Sequence, residues 1–229
     1  MARQRTPAII IDNGSDFMKA GFSGENHLPT VPIPCRDDVL LDDFVVDKVQ
    51  EGKLPNVNLE ALKEMWKDSI YRLKADPTEH IFVLTENRLF TEKDEYYIAE
   101  IMSEEFQAEG LSIINESSLS MIWYGKWTGV YIDCGELMTS VVVFHDGRLF
   151  SDNFLNFGGR DVTLELLSSL QQNRYQQLDS QNLDHLKEIG KIKHEYGWTS
   201  TDYDREMHLA YKTEPISVLC QLEPQQFTQ

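Results

Sequence analysis

Cysteine is scarce in this sequence, which excludes two common ways of stabilising a small protein. The 229 residues include three cysteines, and Cys35, Cys134 and Cys220 are too far apart to form a CxxC pair. An odd number of widely spaced thiols does not build a disulfide framework, and structural zinc needs closely spaced ligand pairs. The six histidines show no metal-ligand spacing either. The sequence therefore predicts reduced thiols and no zinc site.

Positive charge and long apolar runs are scarce as well. Lysine and arginine number 21 against 38 aspartates and glutamates, which gives a net charge of −17. Because fixed negative charge repels phosphate backbones, we expect no direct nucleic-acid partner. No apolar run approaches the roughly 18 residues that span a bilayer, and the run after the first six residues is too short for a signal peptide. We therefore expect an intracellular protein without membrane association.

Two stretches share one plan, in which a strand rich in β-branched residues leads into an acidic turn with glycine. Residues 9–11 are Ile-Ile-Ile and precede Asp12-Asn13-Gly14-Ser15. Residues 130–132 are Val-Tyr-Ile and precede Asp133-Cys134-Gly135. Backbone N–H groups in turns of this kind can face a phosphate. Two such turns on opposite sides of a cleft would hold a nucleotide–metal complex between them.

The remaining sequence mixes helical and strand patterns. Trp123 and Trp127 flank a turn, and we expect them to pack in a core, with a contact to a partner protein as the alternative. Periodicity, capping residues and turn residues predict the elements that follow. They are a meander over 8–32, an irregular acidic excursion over 33–57, a helix capped by Asn58, a strand at 81–85, a helix with a Thr91–Asp94 capping box, a strand at 111–114, a helix at 119–124, strands over 129–144 with a hairpin at 145–148, a helix opened by Gly159, a loop at 171–182, a helix at 186–193, and a partly extended segment at 207–222.

The order and spelling of short motifs resemble actin and the actin-related proteins over most of residues 7–210. The resemblance implies the α/β actin/Hsp70/sugar-kinase (ribonuclease H-like) fold, with two similar lobes and a nucleotide between them. Residues 1–128 would form the first lobe, with 33–57 as a reduced subdomain 2, and residues 129–229 an incomplete second lobe. The repeated turn is the trace that such an internal duplication leaves. The motifs are Asp12–Ser15 with Lys19–Phe22, Leu84–Asn87, Leu119-Ser120, Thr128–Val130 before Asp133–Gly135, Gly159–Thr163, Ile192-Lys193 and Glu206-Met207.

The same resemblance assigns roles to single residues. Asp12 and Asp133 would hold Mg²⁺ through water, because Mg²⁺ keeps most of its hydration, whereas the alternative is that each caps its turn. Lys19 would meet a phosphate as a point charge, with a surface lysine as the alternative. Glu116 stands at the family's water-positioning glutamine, but a solvated acid at a helix N-terminus is the favoured interpretation. The nucleotide-binding residues would be Asp12, Asn13, Gly14, Ser15, Lys19, Asp133, Gly135, Gly159 and Lys193.

Three departures from the family pattern fall where a nucleotide would bind. Asp16 and Leu137 replace glycines that approach phosphate, and Glu136 replaces an aspartate. At an effective dielectric of about 20, a pair of like charges about 4 Å apart costs roughly 4 kcal/mol. The sequence also ends before the family's second Gly-Gly loop, which holds the adenosine. We therefore expect no tightly bound cofactor and no enzymatic activity, with Mg-ATP or Mg-ADP as a weak ligand at most.

The function implied is that of an actin-related structural subunit. An incomplete second lobe leaves apolar surface exposed, which indicates protein partners, with actin or another actin-related protein among the candidates. We expect a cytoplasmic, cytoskeleton-associated protein that works inside a hetero-assembly. Three alternatives stay open: an ATP-binding switch or ATPase of the actin type, a nuclear subunit of a chromatin-remodelling complex, and a small-molecule kinase of the same fold.

Overall fold

The structure, a computed structural model, describes residues 6–24, 31–34, 58–86, 90–173 and 175–212. Its contacts divide the chain into two compact units, residues 1–158 and residues 159–229, which are described separately below. The predicted lobe boundary between residues 128 and 129 lies inside the first unit and stays a prediction. The predicted excursion over 33–57 lies outside the described residues from residue 35 onward.

A five-stranded sheet forms the base of the first unit, with strand order β3-β2-β1-β4-β5. Strands β1, β2 and β3 are antiparallel neighbours, which confirms the predicted meander. Strands β4 and β5 run parallel to β1 and extend the sheet from its other edge. Residues 33 and 34 end strand β3, so the predicted excursion of little regular structure begins after them. The strands are β1 (Ile9–Asp12), β2 (Phe17–Phe22), β3 (Val31–Pro34), β4 (Ile81–Glu86) and β5 (Gly110–Asn115).

Helices connect these strands, and two of them begin at the capping residues that the sequence predicts. Asn58 accepts a hydrogen bond from the Ala61 backbone, and Thr91 and Asp94 form the predicted capping box. Asn115 accepts from the Ser117 and Ser118 backbones, so its helix begins at 116 and not at the predicted 119. The helices are α1 (Leu59–Leu73), α2 (Glu92–Glu100), which continues as a π-helical turn (Ile101–Glu105), and α3 (Glu116–Trp123), with a 3₁₀ turn at Pro77–Glu79.

The core of the first unit lies between this sheet and helices α1 and α2. Ile9 and Ile11 of β1 are fully buried, as is Trp66 of α1. Burying one large apolar side chain contributes about 1.5–3 kcal/mol, so a cluster of this size holds β1 and α1 in a fixed relation. The first acidic turn follows β1 directly and therefore has a rigid base. Other buried members of the cluster are Met18, Leu62, Met65, Phe82, Leu84, Ile98, Ile101 and Met102.

A second, three-stranded antiparallel sheet completes the first unit, with strands β6 (Gly129–Cys134), β7 (Thr139–His145) and β8 (Arg148–Leu155). The predicted hairpin is confirmed, because Asp146 and Gly147 have φ angles of 49° and 73°, the positive values of a type I′ turn. The β6 residues Val130 and Ile132 are 60% and 62% exposed. Ile9 and Ile11 occupy the matching places before the first turn and are fully buried.

The two tryptophans that flank the turn before β6 are exposed. Trp123 is 83% exposed and Trp127 is 65% exposed, so the prediction that they pack in a core is wrong. Trp127 keeps one fixed contact, because its carbonyl accepts a hydrogen bond from the Gly147 backbone.

The second unit contains helices α4 (Gly159–Asn173), α5 (Leu183–Tyr196) and α6 (Tyr203–Lys212). Its small core of Leu167, Leu178 and Ile189 lies between α4, α5 and the segment that joins them. Residues 171–173 continue α4, so the predicted loop begins later. Residues 207–212 are helical and not extended, since Asp202 caps α6 by accepting from the Arg205 backbone. Tyr203, Met207 and Tyr211 recur at helical spacing along α6, a signal for a helix that the prediction of an extended segment overlooked. Residues 213–222 lie outside the described part.

Two further predictions concern cysteine and the membrane. Cys134 has a free thiol, whereas Cys35 and Cys220 lie outside the described residues. Among the helices that the structure describes, none is both long and apolar enough to cross a bilayer.

Candidate functional site

The first acidic turn is held by ion pairing and by exact steric fit. Asp12 ends β1 and faces Lys19 of β2, and the Lys19 Nζ lies 2.7 Å from the Asp12 Oδ2. The Thr85 hydroxyl at the end of β4 donates to the Asp12 Oδ1 at 2.9 Å. A Cβ at Gly14 would lie 2.3 Å from the Phe17 carbonyl oxygen, so this position accepts glycine alone. The first turn therefore presents Asp12 in a defined orientation.

The second acidic turn connects β6 to β7 and is closed from behind by a buried glycine. The Gly135 backbone donates to the Met138 carbonyl at 2.9 Å. A Cβ at Gly158 would lie 2.3 Å from the Glu136 carbonyl oxygen and 2.7 Å from that of Gly135. Any side chain at residue 158 would thus displace the second turn. Gly158 was not among the predicted site residues, although the Gly158-Gly159 pair signals a close backbone approach.

The two turns and the first residue of α3 line one cavity of about 420 Å³ within the first unit. This volume lies in the usual range of small-molecule sites, about 300–1,000 Å³. The cavity brings together most of the residues that the sequence singled out, including the three departures from the family pattern. They are Asp12, Gly14, Ser15, Asp16, Lys19, Glu116, Asp133, Gly135, Glu136 and Leu137, joined by Phe17, Thr85, Leu119, Ser120, Tyr131 and Met138.

Negative charge dominates this cavity. Among the residues that the structure describes, its lining contains five carboxyl side chains and a single lysine. That lysine, Lys19, is engaged with Asp12 at 2.7 Å. The five carboxyl groups belong to Asp12, Asp16, Glu116, Asp133 and Glu136.

Glu116 stands at the helix N-terminus, as its favoured interpretation expects, and its half-buried side chain lines the cavity. It is the first residue of α3 and lines the cavity wall. The pKa of the Glu116 carboxyl is raised to about 8, first by burial and then by the negative charges of Asp133 and Asp12, while Lys19 offsets part of the effect. At neutral pH this group is therefore mostly protonated, and it can donate a hydrogen bond but is a poor proton acceptor.

Two neighbours of Glu116 have shifted proton affinities for the same reasons. Burial, followed by the charge of Asp12, raises the pKa of Asp133 above its ordinary value. Burial is also the main cause that raises the pKa of Tyr131 to about 12, with added contributions from the carboxylates. The phenol therefore stays protonated across the physiological range and offers an O–H to the cavity.

Asn13 faces away from the cavity, although it belongs to the first turn. Its side chain is 3% exposed, and its Oδ1 accepts from the Trp66 indole nitrogen at 2.9 Å. Its Nδ2 donates to the Thr85 carbonyl at 2.8 Å. These bonds make the side chain part of the protein interior, so a role for it in nucleotide binding stays a prediction that the geometry does not favour.

Gly159 and Lys193 lie in the second unit and contact each other. The Lys193 Nζ donates to the Gly159 carbonyl at 2.7 Å, and the Thr163 hydroxyl donates to the same oxygen at 3.1 Å. Lys193 thus secures the beginning of α4. The nucleotide-binding role predicted for these two residues stays a prediction.

The donor set fits hydrated Mg²⁺ better than a directly bound metal. Across the described residues, no group of three or more histidine, cysteine, aspartate or glutamate side chains is placed to hold a metal ion. Asp12 and Asp133 supply hard carboxylate oxygens on opposite turns, and Mg²⁺ often binds one or two carboxylates while it keeps several waters. Besides burial, repulsion from the negative charge of Asp12 raises the pKa of Asp133, and a divalent cation between the two carboxylates would offset this repulsion. Mg²⁺ at this pair stays a prediction.

Comparison with known proteins identifies the family. The Actin family model matches residues 45–215, which is more than half of the chain. The chain belongs to the actin family. It is 27% identical over 232 residues to actin-related protein 2 of Arabidopsis thaliana, and 27% identical over 262 residues to actin-related protein 3 of Acanthamoeba castellanii. A third relative, actin-related protein 3 of Dictyostelium discoideum, is 25% identical over 251 residues.

The alignments cover the chain more fully than they cover its relatives. They include 90%, 94% and 91% of this chain, but 59%, 60% and 58% of the three relatives in the order given. The chain therefore spans about three-fifths of the length of the actin-related proteins that it matches. Its two glycine turns and α/β sheets are those of an actin-type fold, whereas its activity and partners are matters for proposal.

Proposed function

We propose that this actin-family chain is a non-enzymatic structural subunit of a hetero-assembly, with a cavity of nucleotide-binding form that binds Mg-ATP weakly. The observation that carries the proposal is the acidic lining, five carboxyl groups against one lysine. A triphosphate brings further negative charge, and repulsion at about 4 Å costs roughly 4 kcal/mol per pair at an effective dielectric of about 20. Bound Mg²⁺ offsets a part of this cost.

Two observations support the proposal that the chain is not a catalyst. Lys19 is engaged with Asp12 at 2.7 Å, so a phosphate must compete with a carboxylate for its charge. Glu116, with its pKa raised to about 8, is protonated at neutral pH and is unsuited to take a proton from water. Both observations favour a subunit whose cavity has the shape of a nucleotide site but does not hydrolyse ATP.

Calorimetry with Mg-ATP tests the weak-ligand proposal. The natural sequence is expected to bind with Kd weaker than about 1 mM, equivalent to about −4.1 kcal/mol. A double variant, Asp16→Gly with Leu137→Gly, is expected to bind at least about tenfold more tightly, because it removes one carboxylate and one bulky side chain from the cavity wall. Asp146→Gly, at an exposed hairpin turn, is the matched control with the same loss of charge. A micromolar Kd for the natural sequence contradicts the proposal.

The main alternative is an ATP-binding switch of the actin type. It is favoured by the glycine fit at Gly14 and by the cavity volume of about 420 Å³. Tight binding of Mg-ATP in the same experiment would support this alternative. Turnover of ATP by the natural sequence, lost on Asp133→Asn, would extend it to an ATPase.

For partners we propose other protein subunits, with actin or another actin-related protein among them, in a cytoplasmic, cytoskeletal assembly. Actin-related proteins 2 and 3 are the relatives that suggest this class. Exposed apolar side chains on the second sheet support a contact with protein. They are Val130, Ile132, Leu149, Phe150 and Leu155, each 57–78% exposed. A nuclear chromatin-remodelling complex is the alternative assembly.

Affinity purification from the native source tests the assembly. We expect other subunits to co-purify in fixed stoichiometry, and Ile132→Ser to reduce their capture severalfold because Ile132 is 62% exposed on β6. Tyr71→Ser, at an 81% exposed site on α1, is the matched control and should leave capture unchanged. Recovery of a stable monomer without associated subunits contradicts the proposal, and the identity of the subunits separates cytoskeletal from nuclear assemblies.

A further inference from the structure

A buried indole lies at one end of a continuous line of hydrogen bonds that reaches the cavity. Trp66 is fully buried in α1, and its Nε1 donates to the Asn13 Oδ1 at 2.9 Å. A buried indole N–H almost always has a partner, and here that partner belongs to the turn that follows β1. Helix α1 is therefore bonded to the first acidic turn through one amide side chain.

Asn13 is in turn hydrogen-bonded to Thr85 of strand β4 by two bonds. Its Nδ2 donates to the Thr85 carbonyl at 2.8 Å, and its backbone N–H donates to the Thr85 hydroxyl oxygen at 2.9 Å. Asn13 is 3% exposed and Thr85 is 8% exposed, so water has little access to these bonds. In such a low-dielectric place, hydrogen bonds are stronger and polarise one another.

Thr85 completes the line at the cavity. Its hydroxyl oxygen accepts from Asn13, which leaves its single proton for the Asp12 Oδ1 at 2.9 Å. The other oxygen of Asp12 pairs with Lys19 at 2.7 Å, where both side chains are partly open to solvent. A change in what Asp12 binds at the cavity thus acts directly on the Thr85 hydroxyl.

We propose that Thr85 and Asn13 are positioning residues that couple the state of Asp12 in the cavity to helix α1. A cation or a change of partner at Asp12 alters the bond from Thr85, which shifts the Asn13 amide and with it the indole of Trp66. The inference goes beyond the proposed function, and it holds whichever ligand the cavity takes. Close-packed interiors transmit such shifts because they are not freely deformable.

Helix α1 can pass the signal further, because charged contacts tie it to the α2 region. Lys63 pairs with Glu105 of the π-helical turn at 3.1 Å, and the Tyr97 hydroxyl of α2 donates to Glu60 at 3.0 Å. The coupling therefore ends on a helix pair whose outer faces are exposed, with Tyr96 77% and Tyr71 81% accessible. The state of the cavity is in this way available to the protein surface.

Nuclear magnetic resonance of the tryptophan indole groups tests the coupling without any ligand. The chain has four tryptophans, and Trp123, Trp127 and Trp198 are exposed, so their indole signals are internal references for that of Trp66. Lys19→Met removes the ion pair from Asp12 and is expected to shift the Trp66 indole signal more than the other three. Lys93→Met, an equal change of charge on the exposed side of α2, is the control and should leave the Trp66 signal in place.

Cutting the line at Thr85 gives the decisive comparison. In a Thr85→Val background the effect of Lys19→Met on the Trp66 signal should be lost, and in a Thr85→Ser background, which keeps the hydroxyl, it should remain. An equal shift in the valine background overturns the proposal, because the signal would then travel by another route. The proposal is also overturned if Lys19→Met in the natural background does not shift the Trp66 signal. This second test does not use Thr85→Val and therefore does not depend on whether that variant folds.

Discussion

Replacing Asn13 by alanine is expected to lower the free energy of unfolding by about 2–6 kcal/mol, one of the two largest effects of a single substitution that we predict for this chain. The change leaves two buried groups without partners, the Trp66 indole N–H and the Thr85 carbonyl. Each unpaired buried polar group costs about 1–3 kcal/mol. Chemical denaturation of the natural and substituted chains, monitored by far-ultraviolet circular dichroism, measures the difference.

The control for this substitution is the same change at a helix cap. Asn58 also accepts a backbone hydrogen bond, from Ala61 at 3.1 Å, but at the partly exposed beginning of α1. Loss of an N-cap side chain typically costs about 1 kcal/mol. An Asn13→Ala effect no larger than that of Asn58→Ala would show that the buried amide is not the structural link that its contacts indicate.

The stability of the protein is expected to fall as the pH rises from about 4.5 to about 8, with Glu116 as the main cause. The pKa of Glu116 is raised from 4.5 to about 8 in the folded chain, so the folded state binds its proton more tightly than the unfolded state. The stabilisation is fully present below pH 4.5 and is lost as the pH passes through 8. One pKa unit corresponds to about 1.4 kcal/mol, which places the total loss at about 3–5 kcal/mol.

Glu116→Gln is expected to remove most of this pH dependence, because the amide stays neutral and has nearly the same shape. Denaturation curves of both chains between pH 4 and pH 9 give the measurement. Glu86→Gln is the matched control, because burial and Glu95 raise the pKa of Glu86 to about 7. This change should remove a smaller part of the loss of stability, and only the part that occurs below about pH 7. A Glu116→Gln chain with the full pH dependence of the natural one would contradict the assignment.

Local rules predicted those parts of the fold in which neighbours in sequence decide the conformation. The caps at Asn58 and Thr91 and the Asp146-Gly147 hairpin depend on hydrogen bonds and φ values within a few residues, and the structure confirms them. Helix α6 was missed although Tyr203, Met207 and Tyr211 recur at helical spacing in the sequence. Asp202, which caps this helix by accepting from the Arg205 backbone, is a second local signal for it.

The candidate site was predicted in outline and missed in its interior connections. The paired turns that begin at Asp12 and Asp133 are visible in the sequence, and both line the cavity. The burial of Glu116 was not foreseeable, since it arises where α3 meets a turn from another sheet. The same holds for Asn13, whose partner Trp66 lies 53 residues away in the chain. Contacts between distant segments set these environments, and single-sequence patterns carry no record of them.

Strand β6 also has a consequence for how the isolated chain behaves at high concentration. Within the described residues it pairs with β7 along one edge, and it presents Val130 and Ile132 to solvent at 60% and 62% exposure. An apolar strand with an open edge is a template for stacking of further chains. Any fibre grown from the purified chain is therefore expected to give the cross-β reflection at about 4.7–4.8 Å. Electron micrographs of filaments, taken without diffraction, would accordingly say nothing about polymerisation of the actin kind.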